Sequence, residues 1–584
     1  MRVTTACALA AACSDQEFSG CESTLTCDSG PGETQAGGQA GEPSAAGGPS
    51  DPGGAGEGGD GSRDTVSPKV VLVSPEDEAT KVAVSSTIRV TFSEALDGET
   101  LTEKSFVVSG PLGSIAGDLE LEGDVATFTP ESSLALHGEY RVTLDDSITD
   151  RAGNALSDAP YTWSFETKDG AWGMPEDVES ITGAATLPRV AIDARGNAVA
   201  VWRQGAHIRA NTFSPETGWG SDQIIDENGN ESHTVYGARV AMTAEGNAVA
   251  VWQQYDGVRN NIWANTYSVE SGWGAADLVE TDDSGSAEYP NVAFSDSGHA
   301  IAIFQYYVED TNQRFIRANR FTWADRGNPS SGWGEAEDID DDSDRSTYRG
   351  VGDIVMDGDG NAIASFSQSD EDGTNAWVNR YVAGEGWGEA RLLPISENAG
   401  TPALAMNASG EAFAFVAIDG MPWAARFTVE DGWSEEVEDL GKGAIYASIP
   451  VAALDPRGNA LVTWRENNDG TSNLWFNRFT PEDGWAEAAL LDTSLSQSPD
   501  FPDLCVDPSG NVMAVWHQYD GTIQNAWYRR YRFGAGFGDT DLLETAEAGY
   551  ANVVRVACAA NGLAVAVWEQ HDGTETSISG AYFH

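Results

Sequence analysis

Arg189-Val-Ala-Ile-Asp-Ala-Arg-Gly-Asn-Ala-Val-Ala-Val-Trp202 decides how this chain is read, because it returns as Arg239-Val-Ala-Met-Thr-Ala-Glu-Gly-Asn-Ala-Val-Ala-Val-Trp252 and in looser copies down to the C-terminus. Each copy is two short apolar runs around a Gly-Asn turn, the pattern of a β-hairpin. A third run follows, such as the one between Ile208 and Phe213, and then an aromatic mark. The marks stand at Trp172, Trp219, Trp273, Trp333, Trp387, Trp433, Trp485 and Phe537. A period of about 50 residues with four strands per unit is the signature of a β-propeller. Residues 171–584 are therefore expected to form eight blades, and the chain to be all-β. One large side chain closes the second run of each unit: Trp202, Trp252, Phe304, Phe366, Val416, Trp464, Trp516 and Trp568. A four-stranded sheet cannot bury both faces alone, so these residues are expected to fill the space between blades. If each aromatic mark opens the outer strand of the preceding unit, the last unit lacks one and residues 171–180 are a spare. The ring is then expected to close by pairing that N-terminal segment with the strand near Ile578 and Phe583.

Residues 193–197, 357–361, 455–459 and 507–511 spell Asp-x-x-Gly-Asn before the second run. Gly permits positive φ and the Asp carboxylate can bond its own turn, so hairpin turns are expected. Asp357-x-Asp359-x-Asn361 opens like a calcium loop, but Ala362 stands where such a loop needs Gly and no Glu closes it. No cofactor is expected, and calcium is left as an alternative that no complete motif supports. Ser214-Pro-Glu-Thr-Gly-Trp219, Ser268-Val-Glu-Ser-Gly-Trp273, Thr428-Val-Glu-Asp-Gly-Trp433 and Thr480-Pro-Glu-Asp-Gly-Trp485 resemble a shortened Asp-box turn of sialidase-type propellers. That resemblance implies a turn between third and fourth strands, remote from the active site of that family. The family has six blades, and its Phe-Arg-Ile-Pro motif is echoed only distantly by Leu187-Pro188-Arg189-Val190.

Toward the N-terminus, residues 67–168 alternate apolar and polar positions in short runs, among them Ile88 to Phe92, Tyr140 to Leu144 and Tyr161 to Phe165. Period two with turn residues between runs predicts an antiparallel sandwich. The text Val-Ser-Pro-Glu-Asp-Glu-Ala-Thr, Ile-Arg-Val-Thr-Phe-Ser-Glu-Ala-Leu, Ile-Thr-Asp-Arg-Ala-Gly-Asn-Ala-Leu and Trp-Ser-Phe-Glu-Thr resembles the bacterial Ig-like domain first named from S-layer proteins. The resemblance implies a spacer on a surface protein. Residues 14–66 are Gly, Ser, Pro, Ala and acid with few large apolar side chains, a composition that reads as a tether. Residues 1–13 hold a short apolar run ending in Leu9-Ala-Ala-Ala-Cys13, which resembles the lipobox of bacterial lipoproteins and implies lipidation at Cys13. The expected location is the bacterial outer membrane or cell surface. Cys21 and Cys27 are close enough for a small disulfide loop, whereas Cys505 and Cys558 fall one position apart in their repeat frames. That offset points to opposite strand faces, so the second pair is expected to stay apart.

The formal net charge is −60, which makes nucleic acid an improbable partner and fits solubility in an extracellular setting. No metalloprotease, nucleophile-elbow, P-loop or dinucleotide signature occurs, and the His residues are scattered. With 92 acidic residues, sequence alone nominates no catalytic carboxylate pair. The reading is an exported, non-enzymatic binding or adhesion protein for an extracellular glycan or protein. Its alternatives are a glycan-active hydrolase or lyase and a structural envelope component. Ligands are expected on the face carrying the variable loops, such as 226–237, 281–289 and 338–349. Tyr236, Tyr289, Tyr348, Tyr446, Phe501 and Tyr550 recur just before the innermost strands, where they either line the mouth of the ring or pack between blades. Arg189, Arg239 and Arg555 share one repeat position in blades that closure makes neighbours. They either converge on a carboxylate or sulfate or pair separately with nearby acids.

Overall fold

The computed structural model describes residues 64–584 except 227–233, 324–331, 341–348, 370–372, 395–398, 442–446, 469–470, 493–497 and 545–548. Cys13, Cys21, Cys27, Tyr348 and Tyr446 thus lie outside the described residues. The elements among the described residues are all β-strands, and no helix there is long and apolar enough to cross a membrane.

The first sheets form a sandwich. One layer runs Val70–Ser74, Ile88–Phe92, Val125–Pro130, Gly117–Glu122, and the other runs Ala79–Val82, Tyr161–Thr167, Glu139–Leu144, Phe106–Gly110, Gly113–Ser114. Alternation does the sorting: Ile88, Val90 and Phe92 face a core with Phe106, Phe128, Tyr140 and Trp163, while Arg89 is exposed. One pair departs from the antiparallel expectation, since Ala79–Val82 runs parallel to Tyr161–Thr167. These strands are joined through the whole domain, so no tight turn dictates their relative direction.

Eight further sheets follow, each a meander of innermost, second, third and outer strands. Their innermost strands are, from the first sheet to the eighth, Ala185–Ile192, Val235–Met242, Ser286–Phe294, Arg349–Met356, Ala403–Met406, Ala447–Leu454, Asp500–Val506 and Tyr550–Cys558. Each lies beside the next, and Ala185–Ile192 lies beside Tyr550–Cys558. The large side chains that close the second strands, from Trp202 to Trp568, are at most 1% exposed. Their burial needs a partner for each indole N–H, and Gln two residues on supplies it at Trp202 (3.3 Å), Trp252 (3.1 Å), Trp516 (2.9 Å) and Trp568 (2.8 Å). The Asp-x-x-Gly-Asn segments are the expected turns: the Asp357 carboxylate accepts from the Asp359 and Asn361 amides and from Asn361 Nδ2.

The eighth sheet takes its outer strand from the start of the array. Glu176–Asp177 pairs with Thr576–Phe583, Trp172 bridges to Phe583, and the Val178 amide donates to Ile578 O at 2.9 Å. A repeated hydrogen bond marks the joint between sheets. Asn265 Nδ2 of the second sheet donates to Ile225 O of the first, Asn319 to Val279 O, Asn379 to Ile339 O and Asn477 to Leu440 O. Asn211 of the first sheet donates in the same way to Val178 O, directly after the borrowed strand. The junction of the eighth and first sheets is built like the others.

The expectation for Cys505 and Cys558 is wrong: they form a disulfide with Cα atoms 5.4 Å apart. The one-position offset does place them on opposite faces of equivalent strands. When equivalent sheets stack, however, the upper face of one meets the lower face of the next, so opposite faces are the ones in contact. The sandwich rests against the eighth sheet, where the buried Leu136 donates its amide to Asn561 O at 2.8 Å, and just beyond the sandwich Asp169 accepts from Arg532 Nε of the seventh sheet at 2.6 Å.

Cross-linking residues 53 apart restricts the unfolded chain by about 4 kcal/mol. Cys558→Ser is expected to lose about that much, read as a lower denaturant midpoint with a steeper slope, because the freed unfolded chain exposes more surface. An unchanged midpoint would mean that the bond does not form in the folded protein.

Candidate functional site

The innermost strands carry a repeated irregularity. The ladder to the second strand slips between Thr186 and Arg189, Tyr236 and Arg239, Glu288 and Asn291, Asp500 and Asp503, and Asn552 and Arg555, with similar slips in the fourth and sixth sheets. An extra residue in one strand bends it and re-aims the side chains beyond. At five of these bulges the backbone is left-handed, with φ 57° at Leu187, 61° at Gly237, 56° at Tyr289, 48° at Phe501 and 47° at Val553. Gly takes this conformation freely, but other residues hold it at a cost of about 1–3 kcal/mol each.

Hydrogen bonds from the neighbouring sheet hold the strained backbone in place. The Leu187 amide donates to Glu569 Oε1 at 2.8 Å, the Tyr289 amide to Gln253 Oε1 at 3.2 Å, and the Val553 amide to His517 Nδ1 at 3.2 Å. Each acceptor directly follows the core Trp of the sheet before, at Trp568, Trp252 and Trp516. His517 can accept only while neutral, and burial pushes its pKa down to about 4.

Two residues beyond the left-handed position stand Arg189, Arg239, Asn291, Asp503 and Arg555, with Asp353, Ala403 and Val451 at the equivalent place elsewhere. The three arginines are close enough to repel one another. Burial first, then Arg239 and Arg555, push the Arg189 pKa down, and burial with Arg555 does the same to Arg239. Each donates to the carbonyl of the residue before it: Arg189 to Pro188 O at 2.8 Å, Arg239 to Ala238 O at 3.2 Å, and Arg555 to Val554 O at 2.9 Å. Among the described residues none of the three makes a direct ion pair, so most of their donors remain open.

The acids at this level are engaged. Asp503 accepts from the Leu504 and Val556 amides, both at 3.1 Å. Asp353 accepts from the Leu404 amide at 3.1 Å and from Asn291 Nδ2 at 3.2 Å. Burial raises the pKa of both. They tie neighbouring sheets together, whereas the three arginines are partly buried and, among the described residues, bond only the carbonyls that precede them.

Beside Arg239 lies a cavity of about 750 Å³ walled by Tyr236, Tyr289, Gln253, Glu288 and Arg314. Arg349 also borders it, but its guanidinium is fully buried against Asp340. Tyr236 is 45% exposed, Tyr289 64%, Phe501 41% and Tyr550 41%, so none of the four is buried between sheets, although the Arg203 guanidinium of the first sheet lies over the Tyr236 ring at 5.4 Å. They lie within the innermost strands rather than just before them, and not at one repeat position: Tyr289 and Phe501 occupy the left-handed site, Tyr236 precedes Gly237, and Tyr550 opens its strand stacked on His571. The bulges shift the frame that made them look equivalent. Among the described residues, the one cluster of acids spaced to hold a cation is Asp64, Glu94 and Asp150, in the sandwich. The Asp150 carboxylate there already accepts the Ala152 and Asn154 amides and Asn154 Nδ2.

With the geometry in hand, comparison with known proteins adds one firm result. Residues 64–167 match the bacterial Ig-like domain. The Ig-like domain is thus the sandwich that rests on the eighth sheet. No curated protein matches the sequence of the chain. Solved structures with some likeness include the intramolecular trans-sialidase of Ruminococcus gnavus (9% identity, TM-score 0.34, covering 60% of this chain and 94% of that one). Others are the NanB sialidase of Streptococcus pneumoniae (11%, 0.35, 86% and 95%) and a puromycin hydrolase variant (14%, 0.40, 68% and 61%). Likeness at this level transfers no activity to the chain beside the Ig-like domain.

A neutral His517 holding Val553 has a pH signature. The folded pKa lies below the ordinary 6.5, so the contribution is complete above about 6.5 and is lost progressively as pH falls toward about 4. His517→Gln keeps an acceptor and removes the titration. The gap in thermal midpoint between this variant and the native chain is expected to shift in favour of the variant between pH 7 and pH 4, and a pH-independent gap would contradict the assignment.

Proposed function

We propose that the eight sheets are the blades of a closed β-propeller, and that its loop-bearing face binds an extracellular ligand through an anionic group held by Arg189, Arg239 and Arg555. The observation that carries this reading is the convergence of guanidinium groups with open donors in a chain of net charge −60. The carboxylates of Asp503, Asp353 and Glu569 already act on these arginines and offset part of their mutual repulsion, and the guanidinium donors they leave unbonded are what an arriving anion meets. A carboxylate or sulfate matches the planar donor fork.

The export reading draws support from the Cys505–Cys558 bond, since disulfides persist in oxidising compartments. On this reading Cys13 carries the lipid, residues 14–66 form a tether and the Ig-like domain acts as a spacer. Cys13→Ala is then expected to release the protein from the membrane fraction, and unchanged membrane association would refute the anchor.

One observation favours a glycan-active enzyme instead. Asp353 and Asp503 are carboxyls with raised pKa in one layer, near enough for Asp503 to raise Asp353 further. Glycosidases work with such pairs. Both already accept neighbouring amides, which favours the binding reading. Hydrolysis of any acidic glycan that disappears in Asp503→Asn would reverse that preference.

Replacing Arg189, Arg239 and Arg555 by Ala is expected to abolish capture of carboxylated or sulfated glycans on an array while the fold persists. The native chain has a further kinetic signature. Its bulk charge repels an anion over the Debye length, about 30 Å at 0.01 M salt and about 8 Å at 0.15 M, whereas the arginines act at contact. Association is therefore expected to speed up with added salt over that range, and a steep slowing would contradict the site.

A further inference from the structure

The repeat array is chemically lopsided. The seventh, eighth, first, second and third sheets stand in a row because the eighth lies beside the first. Along this row the left-handed bulge sites are Phe501, Val553, Leu187, Gly237 and Tyr289. Beneath them lie Asp503, Arg555, Arg189, Arg239 and Asn291. The fifth and sixth sheets place Ala403 and Val451 at that lower level, and among the described residues they hold no left-handed bulge.

Strain is informative here. Nothing in sheet pairing demands that Tyr289 and Phe501 be large, since Gly237 fills the same site in the second sheet. Both are held in an unfavourable backbone conformation, with Tyr289 64% exposed and Phe501 41% exposed, the Phe501 ring lying 5.6 Å from that of His517. Leu187, at the same site, is 37% exposed, and Tyr236 beside Gly237 is 45% exposed. A strained, solvent-facing aromatic contributes little to folding, so its size points to a contact outside the chain.

We infer that this row is an extended groove for a linear acidic polysaccharide, whose carboxylate or sulfate groups meet the arginines while its sugar rings lie on the exposed aromatics. The inference rests on the anion-binding reading above and deepens it. A pyranose ring presents a flat C–H face to an aromatic ring and polar groups at its edge, so aromatic platforms above a cationic level fit a chain of charged sugars. An acidic peptide would match the charges but has no reason to require flat platforms on several sheets. The bulk charge of −60 does not forbid such a ligand, because at physiological salt a field is screened beyond about 8 Å and the local arginines dominate at contact.

The test uses the complete chain, with oligogalacturonides and chondroitin sulfate oligosaccharides of increasing length as probes. Affinity is expected to rise at least about tenfold from the disaccharide to the longest oligomer. The decisive variant is Tyr289→Gly with Phe501→Gly, since Gly relieves the left-handed strain. Its thermal midpoint is expected to hold or rise while affinity for the long oligomers falls about tenfold more than that for the disaccharide. If affinity does not grow with length, or the glycine variant binds long oligomers normally, while loss of the arginines still abolishes binding, the groove is overturned and the anion site stands. If the native chain prefers acidic peptides and loses them with the arginines, the polysaccharide groove is likewise overturned and the anion site stands; if it binds neither acidic sugars nor acidic peptides, both readings fall together.

Discussion

The pairing of residues 171–178 with Thr576–Phe583 is the contact on which the rest of the array depends. A four-stranded sheet in this chain has two apolar faces, and each of the middle sheets covers both with its neighbours. Without the borrowed strand the eighth sheet would keep a bare outer edge, and Trp202 and Trp568 would lose part of their cover. The pairing also brings Arg555 beside Arg189. The chemistry at the mouth is thus a consequence of how the two ends of the array meet.

The hydrogen bonds divide the same framework between stability and function. Asn211, Asn265, Asn319, Asn379 and Asn477 tie the first, second, third, fourth and sixth sheets to the one before through backbone carbonyls. Glu569, Gln253 and His517 reach across the same junctions and hold the strained amides of Leu187, Val553 and Tyr289. Asp353 and Asp503 use their oxygens on neighbouring backbone. What is left over, in each case on the mouth side, is guanidinium donors and exposed aromatic rings. Among the described residues several buried indole N–H groups, that of Trp464 included, lack a partner too, but the arginine donors differ in carrying charge and in lying at one level of neighbouring sheets.

Much of this was legible in the residues. The Trp and Phe marks gave the period, their spacing gave the units, and the spare segment at Trp172 gave the partner of the last strand. The shared repeat position of Arg189, Arg239 and Arg555 already placed them together. The disulfide was missed because strand parity was judged within one sheet, whereas Cys505 and Cys558 meet between stacked sheets. The bulges were missed although the chain signals them: Pro188, Pro290, Pro402, Pro450 and Pro502 each directly precede the inward-facing residue. Pro belongs in a strand only at an edge or a bulge, and the innermost strands are edges. Overlooking that shift made Tyr236, Tyr289 and Phe501 look equivalent. A ligand for the proposed site is not encoded in any local pattern, because Arg189, Arg239 and Arg555 come from sheets some 50 to 370 residues apart in sequence.

Amide hydrogen exchange across residues 171–178 tests the closure most directly. The account predicts that the Gly173 and Val178 amides, which donate to Tyr582 O and Ile578 O, are protected to the same degree as the amides of Gly536–Leu542, the outer strand of the seventh sheet. Exchange at the rate of unstructured chain in residues 171–178, with Gly536–Leu542 protected, would mean an open array in which Arg555 and Arg189 are not neighbours, and the account of the mouth would fail with it.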